Sequence, residues 1–221
     1  MTTPIFRHLS VVSDSGSGRP FILLHERDHV GALCESLTVS LTSRTRVVSV
    51  QTDRVTDKNY ESLVSELHSL LNYNGIRQAS FVAFGACGAT VQALALQELK
   101  LVRTVAFVDA STRAHPSYFT RLVDRLEHAL PLGLPLRLHE QGFDAKPFLQ
   151  RIRCPVLVIT SSKASAYERS EAAVLEAGLP TAWRVELEAA GEAEKLATLV
   201  LEFQEVPAKC PRKGGGAATL A

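Results

Sequence analysis

The stretch "FVAFGACGATVQALAL", residues 81–96, decides the fold. An apolar run ends in the small residues Gly85-Ala86-Cys87-Gly88-Ala89, and a helical pattern starts at once. A strand that turns into a helix over so few residues needs small side chains at the corner, because the reversal holds the backbone in a strained conformation. Working outward, "PFILLH" (20–25), "RVVSV" (46–50), "TVAFVD" (104–109), "PVLVIT" (155–160) and "WRVEL" (183–187) are continuous apolar runs rather than alternating ones. Strands covered on both faces read this way.

Helical patterns separate these runs at 29–41, 60–75, 88–99, 165–177 and 192–203. In the second of them Leu63, Leu67, Leu70 and Leu71 share one side, and Gly75 stands as a C-terminal stop. Strand and helix taking turns predicts an α/β protein with a mostly parallel, doubly wound sheet. "FRHLSVVSDSGSGRPFILL" has two strand-like runs around a Gly/Ser turn, which predicts an antiparallel hairpin at the sheet edge. The alternation breaks over 112–152, where "HPSYFTRLVDRLEHAL" has helical period, "PLGLPLRL" is a Pro/Gly connector and "KPFLQRI" reads as one further turn. The expected organisation is a core from 1–111 and 153–206, a helical insertion at 112–152, and a disordered Pro/Gly tail at 207–221.

A hydrophobic content of 46%, a charged content of 21% and a formal charge of +1 fit a globular core with no general attraction to nucleic acid. No apolar run approaches the roughly 20 residues of a membrane span. "MTTPIFRHLSVVSDSG" has no signal-peptide arrangement, and Cys34, Cys87, Cys154 and Cys210 show neither a CxxC pair nor metal-ligand spacing with histidine. These features predict a cytoplasmic protein with reduced thiols and with neither metal nor cofactor.

Three landmarks in order resemble the α/β-hydrolase superfamily over roughly residues 5–205: the apolar strand ending at His25, the strand–turn–helix around Cys87, and "RIRCPVLVIT" after the insertion. The resemblance implies that Cys87 stands at the nucleophile elbow G-x-S-x-G and that 112–152 is the cap. Some members, the dienelactone-hydrolase-like ones among them, use cysteine there. A thiol at a helix N-terminus is also favoured as the thiolate.

The rest of that machinery departs from the pattern. Glu192 stands where the resemblance expects the histidine base, and a carboxylate is a weak base toward a thiol. Lys163 lies in the segment after "PVLVIT" where the resemblance expects the acid; some relatives take the acid from the end of the preceding strand, which here is Asp109 in "TVAFVD". Glu26 replaces the glycine of the oxyanion loop, and a carboxylate there opposes a developing negative charge. The expected pocket is therefore built from Cys87, Glu26, Glu192 and Asp109, with His25, Ala86 and Gly88 around it. His115, His128 and His139 in the cap are candidate relocated bases.

Three readings follow. The first is a fold relative without serine-type hydrolysis that binds or converts an apolar small molecule by cyclisation, elimination or isomerisation. The second is a Cys87-dependent ester or thioester hydrolase acting on an acyl ligand. The third is a non-catalytic interaction protein. Fold alone does not choose among them.

Overall fold

The computed structural model describes residues 6–27, 32–56, 58–114, 143–189 and 191–205. Seven strands form one sheet: β1 (Leu9–Ser15), β2 (Pro20–Glu26), β3 (Arg46–Thr52), β4 (Ala79–Phe84), β5 (Val102–Val108), β6 (Val156–Thr160) and β7 (Ala182–Glu186). Their spatial order is β1-β3-β2-β4-β5-β6-β7, parallel throughout except for β1. The helices are α1 (Ala32–Thr42), α2 (Tyr60–Tyr73), α3 (Cys87–Gln97), α4 (Ala166–Gly178) and α5 (Glu192–Gln204), with a 3-10 turn at Lys146–Arg151. The α/β sheet predicted from the apolar runs is present, with each run in a strand.

Side-chain alternation divides the core in two. Ile22, Leu24, Val48, Val50, Phe81 and Ala83 face α2 and α3, whereas Phe21, Leu23, Val47, Val82, Ala106 and Val108 face the opposite layer with Leu37, Leu196 and Val200. Because both faces are covered, the central strands carry no polar side to break their apolar runs.

The expected β1–β2 hairpin is not formed. β1 pairs antiparallel with β3, and β3 lies between β1 and β2. The reason is burial: residues 21–24 are buried throughout, so β2 needs a strand on each side, and β3 and β4 supply them. β1 buries only Leu9 fully and is suited to the edge, where a register shift between Val11 and Ser13 disturbs the ladder.

Local signals set the helix that follows β6. Ser165 and Glu168 form a capping box, each side chain closing on the other's backbone, and α4 starts directly after it. The expected further turn at "KPFLQRI" is the 3-10 turn. Residues 115–142, most of the expected cap with its three histidines, and the tail 207–221 lie outside the described residues. Among the described residues no helix is long and apolar enough to cross a membrane.

Candidate functional site

All parallel strands end at one edge of the sheet, and the candidate residues gather there. β4 ends at Phe84, and α3 begins at Cys87. Only Gly85 and Ala86 lie between, so the chain must reverse at Gly85, whose φ is 55°. The Gly85 N–H donates to the Val108 carbonyl at 3.0 Å, which keeps the corner attached to β5. The carbonyls of Gly85 and Ala86 then accept from Gly88 and Ala89, both at 3.1 Å, and the helix is under way. Apart from Gly85 itself and its two chain neighbours, no described atom lies within 4 Å of the point where a Gly85 Cβ would stand. Gly88 is crowded instead: a Cβ there would lie 2.6 Å from the Ala110 Cβ.

The expectation that Cys87 holds the strained position is thereby corrected. Cys87 is the first residue of α3, and among the described residues only Asp109 is a non-glycine with positive φ. The bend falls two residues earlier because it must come where the β4 ladder ends, and glycine adopts a left-handed backbone without a Cβ penalty.

Cys87 is fully buried, its Sγ 3.5 Å from Thr52 Oγ1 on β3. Burial pushes its pKa up to about 12; the Thr52 contact lowers it and the nearby Glu26 raises it further. At neutral pH a thiol of that pKa is ionised in roughly one molecule in 10⁵, so the nucleophilic form is scarce. Glu26, beside Thr52 in the β2–β3 register, is also buried and accepts the Val55 N–H at 2.6 Å. Its carboxylate thus turns into the protein. Arg27 reaches Asp53 instead, at 3.6 Å.

His25 contacts Ser49 Oγ at 3.4 Å and the Glu26 carbonyl at 3.3 Å. Burial pulls its pKa down, as suits a structural imidazole. His8 approaches Asp53 at 3.4 Å and His68 approaches Asn72 at 3.1 Å. Among the described histidines none is bonded to Cys87, Asp109 or Glu192.

A second group forms across β5, β6 and the start of α5. Asp109, at φ 49°, accepts the Ser161 N–H at 2.8 Å. Burial raises the Asp109 pKa, hydrogen bonds from Ser161 lower it, and the charges of Glu168 and Glu192 raise it. Glu192 accepts from the Ser162 N–H at 2.8 Å and from its hydroxyl at 3.2 Å. Two carboxylates are therefore held by consecutive amides of one loop, while Lys163 is exposed.

No family model and no curated protein matches this chain. Solved structures do. The enol-lactonase from Burkholderia xenovorans LB400 is similar at 18% identity and a TM-score of 0.65, over 88% of this chain and 95% of that one. A thermophilic esterase from Thermogutta terrifontis is similar at 15% identity and a TM-score of 0.68, over 88% and 92%. MenH from S. aureus is similar at 12% identity and a TM-score of 0.64, over 89% and 97%. The chain has the α/β-hydrolase fold.

Within the α/β-hydrolase fold, the residues singled out in the sequence fall into two groups. Cys87 and Glu26 meet around Thr52, and Asp109 and Glu192 meet around the loop at 161–162. Ala86 lies in the corner itself, and Gly88 provides the close approach of α3 to Ala110. The sequence does not single out Thr52, Ser161 or Ser162, because each acquires its partner from a strand or helix distant in the chain. The role of Gly85 was readable in part, since the apolar run ends one residue before it. Among the described residues no group of three or more His, Cys, Asp or Glu side chains is placed to hold a metal ion.

Proposed function

We propose that this protein binds an apolar small molecule at the strand ends beside Gly85. It converts that molecule by proton transfer, as in a cyclisation, elimination or isomerisation, without forming an acyl-enzyme. The observation that carries this reading is the position of the left-handed corner. In this fold the nucleophile rides on the strained residue of the strand-to-helix turn, and here that residue is Gly85, which has no side chain.

Four further observations support it. The Cys87 thiol is buried inside α3 with its pKa pushed to about 12. Glu192, at the base position, already accepts two hydrogen bonds from Ser162. Burial raises the proton affinity of the Asp109 carboxyl, the direction that favours it as a proton donor. The neighbouring Ala86, Ala110 and Ala114 are buried and apolar, as a site for an apolar ligand would require.

The test is a panel of esters and thioesters together with thermal-shift screening of apolar small molecules. Wild type and Cys87→Ala should give the same negligible ester turnover, and ligands that raise Tm should lose conversion in Asp109→Asn. Turnover that disappears in Cys87→Ala, with a covalent acyl adduct on that residue by mass spectrometry, would establish the thiol-hydrolase reading instead. An absence of any ligand-dependent Tm shift would favour an interaction protein.

A further inference from the structure

Asp109 holds a left-handed backbone that costs a non-glycine residue energy and persists only when its surroundings over-determine it. The surroundings can be traced. On its own level the Asp109 N–H donates to the Ile159 carbonyl at 3.0 Å, and its carboxylate accepts from Ser161. Beyond it, successive residues are tied to different elements. Ala110 packs against Gly88 on α3, and the Ser111 carbonyl accepts from Gln92 Nε2 at 3.0 Å. Thr112 donates both its N–H (2.8 Å) and its hydroxyl (2.7 Å) to one oxygen of Glu171 on α4. The Thr112 carbonyl accepts from Ala145 at 3.0 Å, and Arg113 pairs with Asp144 at 2.7 Å.

Glu171 is the buried charge in this set, with Lys146 Nζ 3.4 Å from its other oxygen. A buried carboxylate is a weak source of net stability but a strong constraint on geometry, because removing either side leaves a desolvated group without its partner.

We propose that Glu171 is a positioning residue for Asp109: by gripping Thr112 through two hydrogen bonds, it fixes the backbone at 110–112 that keeps Asp109 left-handed and its carboxyl on the Ser161 amide. The functional meaning rests on the reading of Asp109 as the proton-handling group. The positioning itself can be measured without any ligand.

The experiment is a ¹³C-carboxyl NMR titration of Asp109 combined with hydrogen exchange at the Ser161 amide. In Glu171→Ala the Asp109 midpoint should move from its wild-type position, because the carboxyl loses both its fixed burial and the Ser161 hydrogen bonds that oppose the effect of burial, and Ser161 protection should fall about tenfold or more through local opening. Glu171→Gln keeps an acceptor for Thr112 and should stay close to wild type. Thr112→Val loses only the hydroxyl and should lie between; it carries the test if Glu171→Ala does not fold. Leu175→Ala, a buried change on the same helix, controls for general destabilisation and should lower Tm while leaving Asp109 unmoved. If Glu171→Ala and Thr112→Val lower Tm alone, or Leu175→Ala moves Asp109 equally, the proposal is overturned. Ligand conversion that survives Asp109→Asn would sink the functional reading while leaving the Glu171 result to stand on the titration.

Discussion

Gly85 and Asp109 turn left-handed side by side, at φ 55° and 49°. They follow directly on Phe84 and Val108, which are register partners at the ends of β4 and β5. The Gly85 N–H donates to the Val108 carbonyl, the residue immediately before Asp109. Neither corner can slip by one residue without breaking that bond. The elbow and the candidate proton-handling carboxyl are thus one rigid feature, and the position of the bend follows from strand pairing.

Gly85 and Gly88 predict contrasting mutational effects. Gly85→Ala adds a Cβ into space free of described atoms, so backbone strain alone operates, about 1–2 kcal/mol. For a chain of this size that is a Tm loss of roughly 2–8 °C, and Gly85→Asn should lose less, because asparagine tolerates the left-handed region. Gly88→Ala drives its Cβ to 2.6 Å from Ala110. It must push α3 off the 110–112 segment, at a cost of about 1–3 kcal/mol. Thermal melts rank the variants. Hydrogen exchange should show loosening at Ser111 and Thr112 for Gly88→Ala only, and equal loosening in both would refute the distinction.

The sheet was legible because its central strands are buried on both faces, so that residues 21–24 and 105–108 read as unbroken apolar runs. The partner of β1 was not legible: the Gly/Ser segment at 16–18 announces a turn but not which strand lies beyond it. The left-handed corner lies two residues before Cys87: small residues flank both positions, and the φ of Gly85 and its hydrogen bond to β5 are set by strand pairing, which the sequence does not show. The engagements of Glu26 with Val55, and of Glu192 with Ser162, join residues 29 and 30 positions apart. Nothing local in the sequence encodes them.

The three described thiols should be silent in the native state. Burial pushes the pKa of Cys34 to about 11 and those of Cys87 and Cys154 to about 12. At pH 8 the Cys87 thiolate fraction is roughly 10⁻⁴, against about a quarter for an unfolded thiol near 8.5. Peptide-resolved iodoacetamide labelling should therefore run at least ~10³-fold slower at Cys87 in the folded chain than in denaturant. Labelling at the unfolded rate would restore Cys87 as a candidate nucleophile.

Asp109 and Asp14 should pull stability in opposite directions with pH. The Asp109 pKa is raised in the folded state, chiefly by burial. The folded chain therefore holds its proton longer than the unfolded one, and its contribution falls as pH climbs from the unfolded value through the folded one. Asp109→Asn keeps an acceptor for Ser161 and removes that dependence, so it should gain stability relative to wild type above this window and lose the gain below it. Asp14 is lowered by its hydrogen bonds to Arg46, so its contribution is present above the unfolded pKa and disappears in acid. Since both partners are partly exposed, its effect should stay below about 1 kcal/mol. Urea titrations from pH 3 to 8, a range of about five units spanning both carboxyl windows, read the two slopes. Slopes of the same sign for both aspartates would contradict the assigned causes.

If Gly85 occupies the place from which a nucleophile would project, a hydroxyl there should meet the remaining machinery. Gly85→Ser combined with Glu192→His puts a nucleophile on the left-handed corner and a histidine at the start of α5, with Asp109 as the proposed acid. This pair should acquire labelling by a fluorophosphonate at position 85 and measurable p-nitrophenyl acetate hydrolysis. Full triad efficiency is not expected, because Glu26, turned inward onto the Val55 N–H, stands where the resemblance expects the glycine of the oxyanion loop. Cys87→Ser with Glu192→His is the decisive control, since its hydroxyl would sit inside α3 against Thr52. Labelling of that control, with none at position 85, would return the elbow to Cys87 and overturn the register on which the proposed function rests.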